Sequence, residues 1–173
     1  SNTGEPIWKQ EQARQSIHSV HWFPAGDRLL FGGQKVRIVN AADGTDDRVF
    51  DLHGQLSLTL REFDGEMCFA SAASQEDIIR VWSEDQPVSK WQGHSMDIAK
   101  VQWHPRDARL ASAGLDGTVR IWNADTGTPT LVLRDHTDKV ESLAWSADGR
   151  YLATVDDSGM LLIRDGGKAS NRK

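Results

Sequence analysis

Apolar and polar residues alternate in short segments that recur along the whole chain. Residues 101–103, 119–122 and 143–145 each follow a period of two, which is typical of β-strands whose side chains face opposite sides of a sheet. Glycine, proline and aspartate interrupt these segments, as in the pairs Asp116-Gly117 and Asp148-Gly149. The pattern therefore predicts short strands joined by tight turns.

The sequence also repeats itself with a period near 42 residues. Residues 93–123 match residues 135–165 at a constant shift of 42, and Trp22, Trp103 and Trp145 occupy the same position in three copies. Because such self-similarity is typical of repeat architectures, we divide the chain at these offsets. The predicted repeats are residues 4–43, 44–84, 85–124 and 125–165, and residues 166–173 are predicted to form a flexible basic tail.

Each copy has room for four strands in one antiparallel sheet. A sheet of that size cannot bury its faces alone, so the copies must pack on one another. A period of roughly 40–45 residues with four strands is typical of a propeller blade. We expect an outermost strand near residues 6–10 and a last copy that ends after its third strand, near residues 160–164.

The third copy carries a motif that resembles a known family. Gly93-His94 followed by Ile121-Trp122-Asn123 is similar to the Gly-His…Trp-Asp frame of the WD (tryptophan–aspartate) repeat β-propellers. The resemblance extends over residues 4–165, although the second copy fits only at its ends and no copy has a literal Trp-Asp pair. It implies an all-β fold, a β-propeller built of four-stranded antiparallel blades, with four WD-type repeats in this chain.

The resemblance implies a structural hydrogen-bond tetrad in the third repeat, formed by His94, Ser112, Asp116 and Trp122. Serine, histidine and aspartate are also the ingredients of a nucleophilic triad. Because such ingredients without a known geometry often match by chance, the structural interpretation is favoured and no catalytic residue is predicted. The tetrad would satisfy polar groups inside the blade, where an unpaired group costs roughly 1–3 kcal/mol.

The other copies match this tetrad only in part. In the fourth copy Ser158 and Arg164 stand where the third has Asp116 and Trp122, and the first copy retains none of the four residue types. We therefore expect only the third repeat to be fully hydrogen-bonded. The residues of the partial tetrads are His136, Thr154, Ser71 and Trp82.

The family's loops converge on the narrower, top face of the ring, and this implies a binding surface there. An exposed Leu115 in a polar turn is a plausible anchor, since apolar residues surrounded by polar ones mark interaction patches. Residues 14–15 and 34–35 are the matching segments of the first copy. The candidate top-face partner contacts are Asp97, Leu115, Lys139 and Asp157.

Composition narrows the class of partner and the compartment. The 173 residues are 38% hydrophobic and 26% charged, as in a globular domain, and the net charge of −5 argues against a nucleic-acid binder. Cys68 is the single cysteine, which indicates a reducing compartment and a cytoplasmic location. No apolar run approaches the ~18 residues of a membrane helix, so we expect no membrane association.

Metal, cofactor and anion sites find little support in the sequence. His18 and His21 are three residues apart on a predicted strand and would face opposite sides, and neither a Cys-x-x-Cys motif nor a glycine-rich phosphate loop occurs. We therefore predict no metal and no cofactor. Arg37, Arg80 and Arg120 recur at one repeat position, where packing of their stems is favoured over a ring that binds anions.

These observations favour a non-catalytic interaction scaffold whose partner is a protein or peptide. The alternatives are a propeller hydrolase with a site at the channel mouth and an engineered or excised propeller fragment. Ring closure leaves three arrangements open: two chains in one ring, a segment of a longer propeller, or four blades that close alone. An uncovered end blade would expose an apolar face, so a homodimer or an association with further blades is expected.

Overall fold

A computed structural model describes residues 4–9, 16–33, 35–51, 56–63, 66–73, 76–83 and 87–167, and these contain strands and no helix. Accordingly, no described segment is a helix long and apolar enough to cross a membrane. The strands are β1 (Ser19–Trp22), β2 (Arg28–Gly32), β3 (Lys35–Asn40), β4 (Asp46–Asp51), β5 (Leu56–Phe63), β6 (Glu66–Ala73), β7 (Ile78–Ser83), β8 (Pro87–Gln92), β9 (Ile98–Trp103), β10 (Arg109–Gly114), β11 (Val119–Asn123), β12 (Pro129–Leu133), β13 (Val140–Trp145), β14 (Tyr151–Asp156) and β15 (Leu161–Asp165).

The strands form four antiparallel sheets in chain order. Sheet 1 is β1-β2-β3-β4, sheet 2 is β5-β6-β7-β8, sheet 3 is β9 to β12, and sheet 4 is β13-β14-β15. The predicted all-β fold of propeller blades is confirmed. Sheet 4 has three strands, and its third strand ends at Asp165, close to the end that the sequence predicted.

The chain divides into two compact units, and the first contains sheet 1. Leu30, Val36 and Ile38 are fully buried residues of sheet 1. The predicted outer strand at residues 6–10 is wrong for the described part, because residues 4–9 contain no strand. Instead, Trp8 Nε1 donates a 2.7 Å hydrogen bond to the Ala41 carbonyl, so this segment packs on a loop of its own unit.

The second unit contains sheets 2, 3 and 4, which pack face to face in that order. We call the face of a sheet toward the preceding sheet its leading face and the opposite face its trailing face. Strand alternation gives each sheet one apolar set on each face. On sheet 3 the leading face carries Val101, Trp103, Leu110 and Trp122, and the trailing face carries Ala111, Ala113, Val119 and Ile121.

The chain is hydrogen-bonded just beyond β15, where the basic tail was predicted to begin. Arg109 donates 2.7 Å hydrogen bonds to the carbonyls of Gly166 and Gly167, and Gly166 N donates to the Arg150 carbonyl. These contacts tie the end of sheet 4 to sheet 3. Residues 168–173, the rest of the predicted tail, lie outside the described residues.

Candidate functional site

The third repeat brings its four predicted tetrad residues into one hydrogen-bonded network. His94 precedes β9 and lies with Nε2 2.7 Å from Ser112 Oγ on β10 and with Nδ1 3.0 Å from the Asp116 carboxylate. Trp122 on β11 donates from Nε1 to the same serine oxygen at 2.8 Å. Ser112 and Trp122 are fully buried, so the network spans the interior of sheet 3 from its first to its third strand.

Asp116 is held in place by the turn that contains it. The amide N–H groups of Ser95 and Thr118 donate to the carboxylate at 3.0 Å, and the Thr118 hydroxyl donates at 2.7 Å. Gly117 has a φ of +75°, which glycine adopts at little cost and which closes the hairpin. The tight turn therefore places the Asp116 carboxylate beside the His94 imidazole, and three further donors bind the same carboxylate.

These contacts fix the charge state of the pair. Burial would raise the pKa of Asp116, but the hydrogen bonds from Ser95 and Thr118 and the contact with His94 outweigh it and lower the pKa to about 2. Burial lowers the pKa of His94, although the Asp116 carboxylate opposes that shift. At neutral pH a neutral His94 therefore donates from Nδ1 to an ionised Asp116 and accepts at Nε2 from the Ser112 hydroxyl.

The order serine–histidine–aspartate is that of a nucleophilic triad, but the placement differs. A nucleophilic serine needs room beside Oγ for a substrate carbonyl. Ser112 Oγ instead accepts a hydrogen bond from the buried Trp122 indole, and the whole residue is enclosed between sheets. The arrangement can satisfy polar groups and tie three strands together, and it leaves no access for a substrate.

The fourth repeat contains an equivalent network, so the expectation that only the third is complete is wrong. His136 Nε2 lies 2.7 Å from Thr154 Oγ1, and His136 Nδ1 lies 2.9 Å from the carboxylate of Asp156. Arg164 donates to Thr154 Oγ1 at 3.1 Å in place of a tryptophan. Asp156, which the sequence analysis missed, therefore takes the part of Asp116.

Asp156 reaches the histidine from a different backbone position. At the shift of 42 residues it aligns with Gly114, not with Asp116. A Cβ atom on Gly114 would lie 2.3 Å from His94 Nδ1 and 2.5 Å from Asp116 Oδ1. A side chain at the position of Gly114 would therefore project into the space that the Asp116 carboxylate fills in the third repeat.

Ser158, which aligns with Asp116, supports the displaced acid. Its hydroxyl donates to Asp156 at 2.6 Å, and the Met160 amide donates at 3.0 Å. The Ser158 hydrogen bond is the largest influence on the pKa of Asp156, which together with the contact to His136 is lowered to about 2 against the opposing effect of burial. The sequence did contain a signal for this exchange. An aspartate, Asp156, stands at the position of Gly114, and a serine, Ser158, follows two residues later at the position of Asp116.

The second repeat retains one link of the network. Trp82 Nε1 donates to Ser71 Oγ at 3.0 Å, and the Trp82 ring stacks on Phe69 with centroids 5.6 Å apart. Asp77 accepts a hydrogen bond from Gln92 at 2.9 Å. His53, at the position of His94, lies outside the described residues.

The four predicted top-face contacts are two pairs at equivalent repeat positions. Leu115 N donates to the Asp97 carbonyl at 2.8 Å, and Asp157 N donates to the Lys139 carbonyl at 3.0 Å. Leu115 is half-buried, not exposed as predicted, whereas Lys139 and Asp157 are exposed. Residues 14–15 and Gln34, the matching segments of the first repeat, lie outside the described residues, and Lys35 pairs with Asp51.

Leu115 and Lys139 line one groove across sheets 3 and 4, which we call the top groove. Its volume is about 400 Å³. Asp116 and His136 form part of its wall, so the two buried networks support the groove from below. Both signs of charge line it. The remaining lining residues are Gly117, Thr118, Arg134, Thr137 and Asp138.

The recurrent arginines lie on the strands, with local acidic partners for two of them. Arg37 donates to Asp46 at 2.5 Å and Arg80 pairs with Glu76. These ion pairs, together with the largely buried side chains of Arg37 and Arg80, favour a structural role for the arginine at this repeat position. Across the described segments, no group of three or more histidine, cysteine, aspartate or glutamate side chains could hold a metal ion.

The repeats match a known family of domains. The family model described as "WD domain, G-beta repeat" matches residues 85–123 and 127–165, which are the third and fourth repeats. The third and fourth repeats are therefore similar to those of the WD-repeat β-propeller family. The matched part contains the two complete networks, and the first two repeats, which depart most from the motif, are outside it.

Several named proteins are similar to parts of this chain. Coronin-7 of Rattus norvegicus is 45% identical over 74 residues, covering 42% of this chain and 8% of that protein. Protein HIR1 of Cryptococcus neoformans is 27% identical over 89% of this chain and 21% of its own length. Ribosome assembly protein 4 of Chaetomium thermophilum is 35% identical over 50% of this chain and 17% of that protein. The chain thus spans at most about a fifth of these relatives.

A solved structure supports the same fold. A chain in the crystal structure of the mitotic checkpoint complex superimposes with a TM-score of 0.76 at 21% sequence identity, covering 91% of this chain and 52% of that one. At this identity the likeness shows the fold alone.

Proposed function

We propose that this WD-repeat chain is a non-catalytic interaction module that binds a segment of a partner protein in the top groove. The observation that carries the proposal is the support beneath the groove. Asp116 and His136 line it, and each is fixed by at least two hydrogen bonds to neighbouring strands or turns. A binding surface on such a support loses little conformational entropy when a ligand binds.

The groove chemistry suits a peptide that combines one apolar anchor with polar groups. Leu115 offers the apolar contact, Arg134 and Lys139 offer positive charge, and Asp138 offers negative charge. The names of similar proteins support a partner that is a protein. One is a ribosome assembly protein, and another is a chain of a mitotic checkpoint complex. A cytoplasmic location, predicted from the single cysteine, stays a prediction.

The test is a selection from a random peptide display library with the full chain as bait. We expect selected peptides to lose at least tenfold in affinity for Leu115→Asp and Lys139→Glu, measured by fluorescence anisotropy. Lys90→Glu on β8 is the matched control, since Lys90 is an exposed lysine outside the groove. Peptides that bind both groove variants as tightly as the wild-type chain would refute the proposal.

A further inference from the structure

A cavity of about 430 Å³ lies between the trailing face of sheet 2 and the leading face of sheet 3, inside the second compact unit. Cys68 and Val81 line it from sheet 2, and Trp103 lines it from sheet 3. Residues 124–127, the turn that follows β11, form part of its wall and reach the surface at the exposed Asp125. The volume falls in the range of ligand pockets, roughly 300–1,000 Å³.

The junction between sheets 3 and 4 contains the equivalent place, and there a side chain fills it. Arg109 pairs with Asn123 on β11 as Cys68 pairs with Ser83 on β7, so the two residues hold the same position in their sheets. The guanidinium of Arg109 covers the ring of Trp145, with Cζ 5.6 Å from the ring centroid. The side chain of Cys68 is much shorter, and the corresponding space between sheets 2 and 3 is open.

Each group that holds the Arg109 side chain has a counterpart in the wall of the cavity. Besides covering the Trp145 ring, Arg109 donates 2.7 Å hydrogen bonds to the carbonyls of Gly166 and Gly167. The residues 42 positions before these three partners all line the cavity, and they are Trp103, Ala124 and Asp125. The cavity therefore combines an aromatic ring with the two backbone positions that bind a guanidinium in the next junction.

We propose that this cavity binds the side chain of an arginine supplied by a partner protein. The guanidinium stacks on Trp103 and donates to the carbonyls of Ala124 and Asp125, as Arg109 does to their counterparts. Arginine suits the place because its planar group stacks on an aromatic face and donates within its own plane, which an ammonium does not do. The cavity shares no lining residue with the top groove, so the inference does not depend on the proposed function.

Arg61 is the charged residue that most affects such a ligand. It donates to the Asp107 carbonyl, at the place where His104 Nε2 lies 2.9 Å from the Gly149 carbonyl in the next junction. Burial lowers the pKa of His104, so this residue is neutral beside Arg109 at pH 7. Arg61 stays charged. A bound arginine is therefore held less tightly than Arg109, and Arg61→His is expected to tighten binding.

Two further charged residues line the cavity, and they differ in where their charge lies. Asp125 is exposed on the turn, where its carboxylate attracts an incoming guanidinium. Lys90 pairs with Arg80 on β7, next to Val81, whose side chain is on the trailing face. Strand alternation therefore places the Lys90 side chain on the leading face of sheet 2, away from the cavity.

The test titrates the full chain with N-acetyl-arginine amide and follows the indole N–H signals by NMR. Trp103 Nε1 and Trp145 Nε1 are both buried without a hydrogen-bond partner among the described residues, so they are matched reporters. We expect the Trp103 signal to shift and saturate, and the Trp145 signal to stay, because Arg109 already covers that ring. An unchanged Trp103 signal would overturn the proposal.

Matched ligands separate the guanidinium from general binding. The amides of N-acetyl-lysine and N-acetyl-citrulline are expected to bind roughly fivefold more weakly or less, since one lacks the planar group and the other lacks the charge. Equal affinity of the three would refute the arginine assignment. Free arginine tests the source. A clear preference for the free amino acid over its blocked form would point to a small molecule and contradict a partner protein.

Cys68→Arg fills the cavity from within and is expected to abolish the Trp103 shift. Met96→Arg is the matched control, since it adds the same charge at a residue that is 49% exposed and outside the cavity. Circular dichroism and thermal melting verify that each variant is folded. Asp125→Lys changes an exposed residue, which keeps the test valid if Cys68→Arg does not fold, and is expected to weaken binding about threefold or more. Undiminished binding by Cys68→Arg, or by Asp125→Lys, would contradict the site.

Arg61→His distinguishes an arginine ligand from an anionic one. It is expected to tighten N-acetyl-arginine amide about twofold or more, because a like charge is removed. Benzoate, a planar anion, serves as the opposite probe. Benzoate that shifts Trp103 more strongly than the arginine amide, and that loses affinity in Arg61→His, would show that the cavity takes an anion instead.

The double variant Cys68→Arg with Arg61→His tests the underlying comparison without any ligand. It reproduces the Arg109 and His104 pair of the next junction, so it is expected to melt at a higher temperature than Cys68→Arg alone. Arg61→His alone completes a double-mutant cycle. If the two changes are additive in free energy of unfolding, the two junctions are not equivalent at this place.

Discussion

The third and fourth repeats build the same buried network from different residues. In both, histidine Nδ1 meets a carboxylate and Nε2 meets a hydroxyl. Asp116 comes from the turn in one and Asp156 from the strand end in the other. A buried imidazole needs both partners, because an unpaired polar atom in the interior is costly. The network therefore requires a carboxylate beside histidine Nδ1, and the backbone position that supplies this carboxylate can differ.

The two repeats differ in what closes the network on the third strand. Trp122 is fully buried and its ring lies 6.0 Å from that of Trp91 in a stacked arrangement. Arg164 occupies the corresponding place, and its guanidinium also pairs with the exposed Asp135 at 2.8 Å. On the third strand, the network of the third repeat is therefore closed mainly by packing of the Trp122 ring, whereas that of the fourth repeat is closed by Arg164, which forms an ion pair near solvent.

Truncation of these two side chains gives the largest expected contrast. Trp122→Ala removes a large buried ring and leaves Ser112 with one donor fewer, so we expect the free energy of unfolding to fall by about 3–5 kcal/mol. Arg164→Ala removes an ion pair near the surface and is expected to cost about 1 kcal/mol or less. Urea unfolding monitored by circular dichroism measures both.

Trp122→Phe separates packing from hydrogen bonding in this contrast, since it keeps most of the ring and loses only the indole donor. It is expected to cost less than Trp122→Ala. If Arg164→Ala destabilises the chain as much as Trp122→Ala does, the distinction between a packed and a charged closure is wrong.

Exchange of the acid's position tests the equivalence of the two networks. Gly114→Asp alone places a side chain within 2.3 Å of His94 Nδ1 and against Asp116, so it is expected to cost about 2–4 kcal/mol through crowding and like charge. Addition of Asp116→Ser reproduces the Asp156 and Ser158 arrangement of the fourth repeat. The double variant is expected to recover most of the lost free energy of unfolding.

Thermal and urea unfolding of the two single variants and the double variant measure this coupling as a double-mutant cycle. Asp116→Ser alone serves as the control. If the losses in free energy of unfolding are additive in the double variant, the two arrangements of the acid are not equivalent.

The sequence predicted the strands, the sheet order and the residues of the third network, because these depend on local alternation and on a motif at fixed spacing. It did not predict Asp156, because alignment at a constant shift compares backbone positions and not the places that side chains reach. The outer strand near residues 6–10 was wrong for a related reason. Pattern alone did not reveal that Trp8 docks on the loop at Ala41.

Acid is expected to weaken the network of the third repeat in two stages and that of the fourth repeat through its carboxylate. The pKa of His94 is lowered from 6.5, so the unfolded chain binds its proton first and stability begins to fall as the pH drops below 6.5. The pKa values of Asp116 and Asp156 are lowered from 3.8 to about 2, so their stabilisation is complete above pH 4 and is lost as the pH falls from 4 to 2.

Asp116→Asn tests the larger part of this pH dependence in the third repeat. It is expected to cost about 2 kcal/mol at pH 7, because the charge-assisted bonds to Asp116 weaken. The slope of the free energy of unfolding between pH 4 and pH 2 becomes shallower, since one titrating group is gone. Urea titrations at a series of pH values measure the slope, and a slope equal to that of the wild type would contradict the assignment.

Removal of the Ser158 hydroxyl gives the smallest expected effect and the most local one. Ser158 supplies the largest influence on the pKa of Asp156, and the third repeat has no serine in that place. Ser158→Ala is therefore expected to raise the pKa of Asp156 from about 2 toward 3.8 and to leave that of Asp116 at about 2. Carboxyl carbon shifts in an NMR pH titration follow both groups in one sample, so Asp116 is the internal control. An unchanged pKa of Asp156 would mean that His136 and the Met160 amide hold the displaced carboxylate without the serine, and that the serine in the aligned position is not what permits the move.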